Sequence, residues 1–229
     1  MLEVRSEEQE IMDDLTISGP VVAQTLRELN TINRWLGGNQ ISVGAYKRLA
    51  SKNEQKISVA DLGCGGGDLM KEMARWSRKK GVNAQFTGFD ANPHIVAYAR
   101  ENTSDFSEIA YEAEDILSSK FRARSFDLIH CCLFLHHFTE AQLVRLFRQF
   151  KEQTRIGVIV NDLHRHPLAY WSIGLLTWIF SKSEMVRNDA SVSVARGFKR
   201  KELEGMLKEA GIENYQLKWK WAFRWELVF

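Results

Sequence analysis

The chain has 229 residues, 45% apolar and 26% charged, a globular composition long enough to bury a core unaided, which excludes intrinsic disorder and fibrous repeats. Its 31 Lys and Arg against 29 Asp and Glu leave a formal charge of +2, so neither nucleic acid nor an anionic membrane is demanded as a partner. The three cysteines, two of them adjacent (Cys131 and Cys132), make no disulfide framework and point to a reducing compartment. The acidic start MLEVRSEEQEIMDDL has none of the marks of a secretory signal, and the longest apolar run, 168–180, is too short to span a bilayer; a soluble, cytoplasmic protein is expected.

Residues 1–50 read as helical. Pro20 suits a helix start, Val21, Val22, Leu26, Leu29, Ile32 and Leu36 follow a spacing of three to four, and Gly37-Gly38 stops the helix before a second one over 43–49. From Ile57 the pattern changes. Residues 57–62 predict a strand that runs into the glycine-rich stretch 63–67, followed by a helix with Leu69, Met70, Met73 and Trp76 inward. Further strands are predicted at 86–89, 109–112, 126–131 and 157–160, with helices from Asn92-Pro93 and over 140–150. Repeated strand–helix alternation predicts an α/β fold with a mostly parallel sheet. In the tail, Tyr215, Leu217, Trp219, Trp221, Phe223, Trp225, Leu227 and Phe229 alternate with mostly polar neighbours, which predicts two strands with a turn near Trp221 and their aromatics in the sheet core.

Ligands of open α/β sheets sit at the carboxyl ends of the strands, near the point where strand order reverses. Four predicted strands end in chemically informative residues. The run from Asp61 through Gly63, Cys64 and Gly65 to Asp68 allows a tight turn and close approach of backbone to ligand. It lacks the Gly-Lys-Ser/Thr of a phosphate loop, and Asp68 breaks the dinucleotide fingerprint, which disfavours a nicotinamide oxidoreductase. The bland alternative is a plain strand-to-helix connection. Asp90 closes the second strand, where a carboxylate accepts from both ribose hydroxyls; its alternative role is a helix cap. Asp115-Ile116 after the third strand suits an adenine amino group, or is a surface turn. Apolar residues after the fourth strand, Leu133 to Leu135, would wall a pocket, and His136 and His137 follow.

Taken in order, the 61–67 segment, the lone acid Asp90, Glu114-Asp115-Ile116, and Phe126 to Ile129 followed by Leu135-His136-His137-Phe138 resemble class I S-adenosylmethionine-dependent methyltransferases, and more closely the small-molecule branch that includes the ubiquinone/menaquinone enzymes. The resemblance covers roughly 56–229. It implies a Rossmann-like, seven-stranded, mostly parallel sheet with an antiparallel last strand, flanked by helices. The N-terminal helices (1–50) would form a cap over a methyltransferase domain (51–229) carrying a lid insertion at about 163–198. The cofactor implied is S-adenosyl-L-methionine, with S-adenosyl-L-homocysteine as product. Asp61, Gly63, Cys64 and Gly65 would hold its methionine end, Asp90 the ribose with Ala91 or Asn92 beside the adenine, Asp115 and Ile116 the adenine, and Cys132 or Leu133 the region near the sulfonium.

An ionisable acceptor needs a base, and His136 or His137 would serve. Either could instead pack beneath the pocket. His164 and His166 flank Arg165 beyond the fifth strand; no third metal ligand is evident, so no metal is expected and acceptor binding is the functional reading. Asn33, Arg34, Trp171 and Arg196 complete the acceptor candidates, Arg196 by pairing an acid. The apolar segment 168–181 reads as a lid over a lipophilic acceptor, a dimer contact, a foot on a membrane surface, or plain core. The segment after the fourth strand carries no Asn/Asp-Pro-Pro-aromatic motif, so DNA is not an expected substrate. The expectation is methylation of a small aromatic or lipophilic metabolite, with oxygen favoured over carbon as acceptor atom. RNA or protein methylation, or cofactor binding without catalysis, are the alternatives; oligomeric state is not legible.

Overall fold

The computed structural model describes residues 2–53 and 55–229. A short 3-10 turn (Ile11–Asp13) precedes α1 (Pro20–Trp35) and α2 (Gly38–Ala50). Then come β1 (Ile57–Leu62), α3 (Asp68–Lys80), β2 (Ala84–Asp90), α4 (Pro93–Asn102), β3 (Ile109–Ala113), α5 (Ser119–Arg122) and β4 (Phe126–Cys132). The second half runs α6 (Glu140–Gln153), β5 (Thr154–Leu163), α7 (Pro167–Phe180), α8 (Glu184–Arg196), α9 (Arg200–Glu209), β6 (Gln216–Lys220) and β7 (Arg224–Val228). Local chemistry sets the helix starts. Pro occupies the first turn of α1, α4 and α7, and the side chains of Asn92, Ser118, Thr139 and Ser183 accept the otherwise unpaired N–H groups of α4, α5, α6 and α8.

The seven strands form one sheet in the order β3-β2-β1-β4-β5-β7-β6. β1 to β5 are parallel, and β7 runs antiparallel between β5 and β6. Apolar residues on the sheet faces bury two large clusters. One joins Leu62, Phe89 and Ile129 to Leu143 and Phe147 of α6 and Leu207 of α9; the other joins Val59 and Phe86 to Tyr46 of α2 and Met70 and Met73 of α3. Strand order reverses between β1 and β4. The chain leaves β1 for one neighbour and β4 for the other, which opens a crevice above their carboxyl ends.

Two expectations change. The tail does form a hairpin, turning at Ala222 and Phe223 with positive φ of 60° and 55°. Its aromatics, however, are not all core: Trp225 is 4% exposed, whereas Trp219 and Trp221 at the projecting tip are 46% and 74% exposed. The period-two pattern does not carry through the turn, which leaves the tip exposed. In addition, α7 lays Leu168, Trp171, Leu175, Trp178, Ile179 and Phe180 outward into solvent, and residues 163–198 contribute nothing to the crevice lining. The insertion instead supports the N-terminal segment. Asp189 of α8 accepts the backbone N–H of Ile11 (2.8 Å) and Met12 (3.0 Å). Among the described residues no helix is long and apolar enough to cross a membrane.

Candidate active site

The crevice is a cavity of about 440 Å³, inside the range of small-molecule sites. Its floor is the strand ends. Asp61, at the end of β1, is 3% exposed and its Oδ1 lies 2.6 Å from His130 Nδ1 on β4, its register neighbour. The chain then turns sharply, and Gly63 and Cys64 both donate to the carbonyl of Phe89 on β2 (2.9 and 3.1 Å). Gly63 sits at φ +65°, where a Cβ would lie 2.2 Å from the Phe134 ring. Only glycine lets this loop and the loop after β4 approach so closely.

Asp90 ends β2 beside that loop, and its Oδ1 accepts from the N–H of Asn92 at 3.0 Å. Burial and the nearby Asp61 push its carboxyl up to about 6, against the backbone N–H groups of Asn92 and Gly65 that favour the ion. Asp115, beyond β3, uses Oδ1 to accept from Leu117 (2.8 Å), while Ile116 beside it is buried. Its neighbour Glu114 is held by Arg124 (2.9 Å) and Lys120 (3.1 Å). Cys132 and Leu133 follow β4. Burial pushes the Cys132 thiol up to about 11, so it stays neutral near pH 7. Leu133 holds a positive φ of 52°, uncommon for a branched residue, and donates to the Asn161 carbonyl at 2.9 Å.

Of the sequence-predicted residues, Asp61, Gly63, Cys64, Gly65, Asp90, Ala91, Asp115, Ile116, Cys132, Leu133, Asn33 and His137 line this one cavity. The others do not. Asn92 is 2% exposed and caps α4, its side chain accepting from His94 N and donating to the Ile17 carbonyl. His136 is sealed behind the wall at 2% exposure, with Nδ1 2.7 Å from Asp162 Oδ1 and Nε2 3.2 Å from Glu10 Oε1. Burial pulls its pKa down, but the two carboxylates outweigh burial and raise it to about 9. A ring so enclosed does not reach an acceptor in the cavity, so the base assignment to His136 is corrected. Arg196 pairs an acid of its own chain, Asp13 (2.6 Å), and donates to the carbonyls of His136 and His137, which leaves it no acceptor to bind. His166 caps α7, and His164 accepts from Trp219 Nε1 at 3.2 Å, both away from the cavity. Arg34 and Trp171 point to solvent.

The sequence reading missed two contributors. Met12, Asp13 and Leu15 of the N-terminal segment join Leu26, Leu29 and Asn30 of α1 in closing the cavity. Asp162 organises the loop after β4, its Oδ2 accepting from the N–H groups of Phe134, Leu135 and His136 at 2.9–3.3 Å. That loop places Phe134 and Phe138 in the wall.

Comparison with known proteins agrees with this geometry. The methyltransferase domain family model matches residues 59–157, the segment from β1 through β5 that supplies the cavity floor. That segment is thus similar to a methyltransferase domain. It is 32% identical over 149 residues to an uncharacterized methyltransferase of Synechocystis sp. and 29% identical over 167 residues to a ubiquinone biosynthesis O-methyltransferase of Ralstonia nicotianae. These matches cover 64% and 70% of this chain, and the chain spans 64% of the length of each relative. Among solved structures, the plantazolicin methyltransferase BpumL in complex with SAH superposes with a TM-score of 0.61 at 19% identity, over 86% of this chain and 72% of that one. Human N-acetylserotonin methyltransferase in complex with SAM gives 0.61 at 19% identity, over 90% and 55%.

Proposed function

We propose that the cavity binds S-adenosyl-L-methionine and that the protein transfers its methyl group to an oxygen of a small aromatic or lipophilic acceptor. The observation that carries this reading is the convergence of Asp61, Asp90 and Asp115, from the ends of three successive strands, on one cavity with the positive-φ loop at 63–65. Carboxylates suit the hydroxyl, amino and ammonium donors of a nucleoside joined to an amino acid, and would repel a pyrophosphate. Asp90 would accept from the ribose hydroxyls, the Asp61 loop would hold the methionine end, and Asp115 with Ile116 would take the adenine.

The cofactor supplies a methyl group on a cationic sulfur, already activated toward displacement. The protein's share is alignment and exclusion of water. Leu29, Leu133, Phe134 and Phe138 supply apolar wall, and Met12 and Leu15 close it from the N-terminal side. No base is assigned: His136 is sealed, and His137 Nδ1 is committed to Asp13 at 2.6 Å. An apolar wall of this kind suits a phenolic or quinone-like acceptor, and the Ralstonia relative is a ubiquinone biosynthesis O-methyltransferase. Such acceptors partition into bilayers, and the outward apolar face of α7 would meet that surface.

The test is methyl transfer from labelled S-adenosyl-L-methionine to a panel of catechols, phenols, hydroxyquinones and fatty acids, read as S-adenosyl-L-homocysteine release and product mass. An O-methylated phenol or quinol is expected. Turnover on RNA or protein alone would overturn the acceptor class.

A further inference from the structure

Behind the cavity wall, three side chains from two distant parts of the chain turn toward one point. Glu10 lies ahead of α1, and His136 and His137 lie in the loop after β4; one ligand atom from each falls within 4.8 Å of the others. His136 Nε2 is 3.2 Å from Glu10 Oε1, and His137 Nε2 is 4.0 Å from Glu10 Oε2. The shorter contact is not an aligned hydrogen bond, because Glu10 Oε1 and His136 Nε2 are both buried polar atoms without a hydrogen-bond partner. The residues that carry them are 7% and 2% exposed. Sealed polar atoms left unpaired are costly, and a pair so close yet misaligned is accounted for by a third body between them. Ligand atoms around a tetrahedral zinc-type ion, bonded at roughly 2.0–2.2 Å, stand about 3.3–3.5 Å apart.

The surroundings carry the same signature. His136 Nδ1 is fixed by Asp162 at 2.7 Å and His137 Nδ1 by Asp13 at 2.6 Å, so each ring is oriented by a carboxylate and presents Nε2 inward. Imidazoles that bind metal are held in this way.

We infer that Glu10, His136 and His137 bind a divalent cation of the zinc type, which clamps the segment ahead of α1 onto the loop after β4. The clamped segment carries Met12, Asp13 and Leu15 into the cavity wall, so the ion would steady one side of the site. The inference does not depend on the methyl-transfer reading. The competing occupant is a proton shared between His136 and Glu10.

The experiment uses the full chain with any affinity tag removed, stripped with a chelator and dialysed. ZnCl₂ is titrated by calorimetry, and CoCl₂ by visible absorption, where a tetrahedral site gives intense bands. One saturable equivalent per chain and a zinc-dependent rise in melting temperature are expected. Glu10→Gln and His137→Ala, checked for fold by circular dichroism, should each abolish the bands. Asp13→Asn, which removes only the orienting carboxylate, should weaken zinc binding by about 10–100-fold. His164→Ala/His166→Ala should leave binding intact. Absence of saturable zinc binding by the folded wild type, or binding that survives in both Glu10→Gln and His137→Ala, overturns the inference.

Discussion

Asp90 gives the cofactor reading a quantitative consequence. Its carboxyl titrates at about 6 because burial and Asp61 oppose its charge. Ribose hydroxyls donate, so they are received best by the ionised form. Binding then selects that form, and the apparent dissociation constant rises in proportion to 1 + 10^(6 − pH), as for any ligand that binds one of two states. Between pH 8 and pH 5 the affinity for S-adenosyl-L-homocysteine should fall about elevenfold, or roughly 1.4 kcal/mol. Asp90→Asn should bind more weakly at pH 8, by the roughly 1.5–3 kcal/mol of hydrogen bonds to a charged group, and should lose the Asp90-dependent slope. Its stability should move the other way. A carboxyl whose folded pKa lies above its unfolded value contributes stability at low pH and loses it as pH rises through about 6. The asparagine variant should therefore gain melting temperature relative to wild type at pH 8 and lose that gain near pH 4. Calorimetric titrations from pH 5 to 8 on both proteins decide it. A wild-type affinity independent of pH, or an asparagine variant with the wild-type slope, would refute the reasoning.

The glycine loop makes a paired prediction. Gly63→Ala places a Cβ in the left-handed region and against Phe134, so it should lower the melting temperature by at least 2–8 °C, the equivalent of roughly 1–2 kcal/mol, and weaken cofactor binding; Gly205→Ala, in α9 with no atom within 4 Å, should raise the melting temperature. His130→Leu strips Asp61 of its partner in the sheet, and chemical denaturation should show a loss of about 1–3 kcal/mol together with weaker binding at the methionine end.

Much of the floor of the site was legible because strands β1 to β4 run parallel and deliver their terminal residues to one sheet edge. With the short apolar strands in place, Asp61, Asp90 and Asp115 had to lie near one another. Distance along the chain from a strand end says nothing about side-chain direction, and that is where the reading failed. Residues 136 and 137 are adjacent, yet one ring is sealed between Asp162 and Glu10 and the other borders the cavity. Arg34 follows Asn33 by about 100° around a helix, enough to turn it from the cavity to solvent. The histidines flanking Arg165 and the outward residue Trp171 belong to an insertion that contacts the N-terminal segment, the loop after β4 and the hairpin tip. Glu10, Met12 and Asp13 carry no periodic signal; their place is set by Asp189 and Arg196, nearly the whole chain away. The organising role of Asp162 carries no sequence signal, since its partners are three backbone N–H groups and the His136 ring of another loop.

The central claim is that this cavity receives S-adenosyl-L-methionine, and thermal unfolding with S-adenosyl-L-homocysteine, and separately with NADH, tests it most directly. At about 100 times its dissociation constant a ligand adds roughly 2.7 kcal/mol, a shift of roughly 5–10 °C for a chain of this size. The account predicts that shift with S-adenosyl-L-homocysteine and none with NADH; a shift with NADH alone, or with neither, would contradict it.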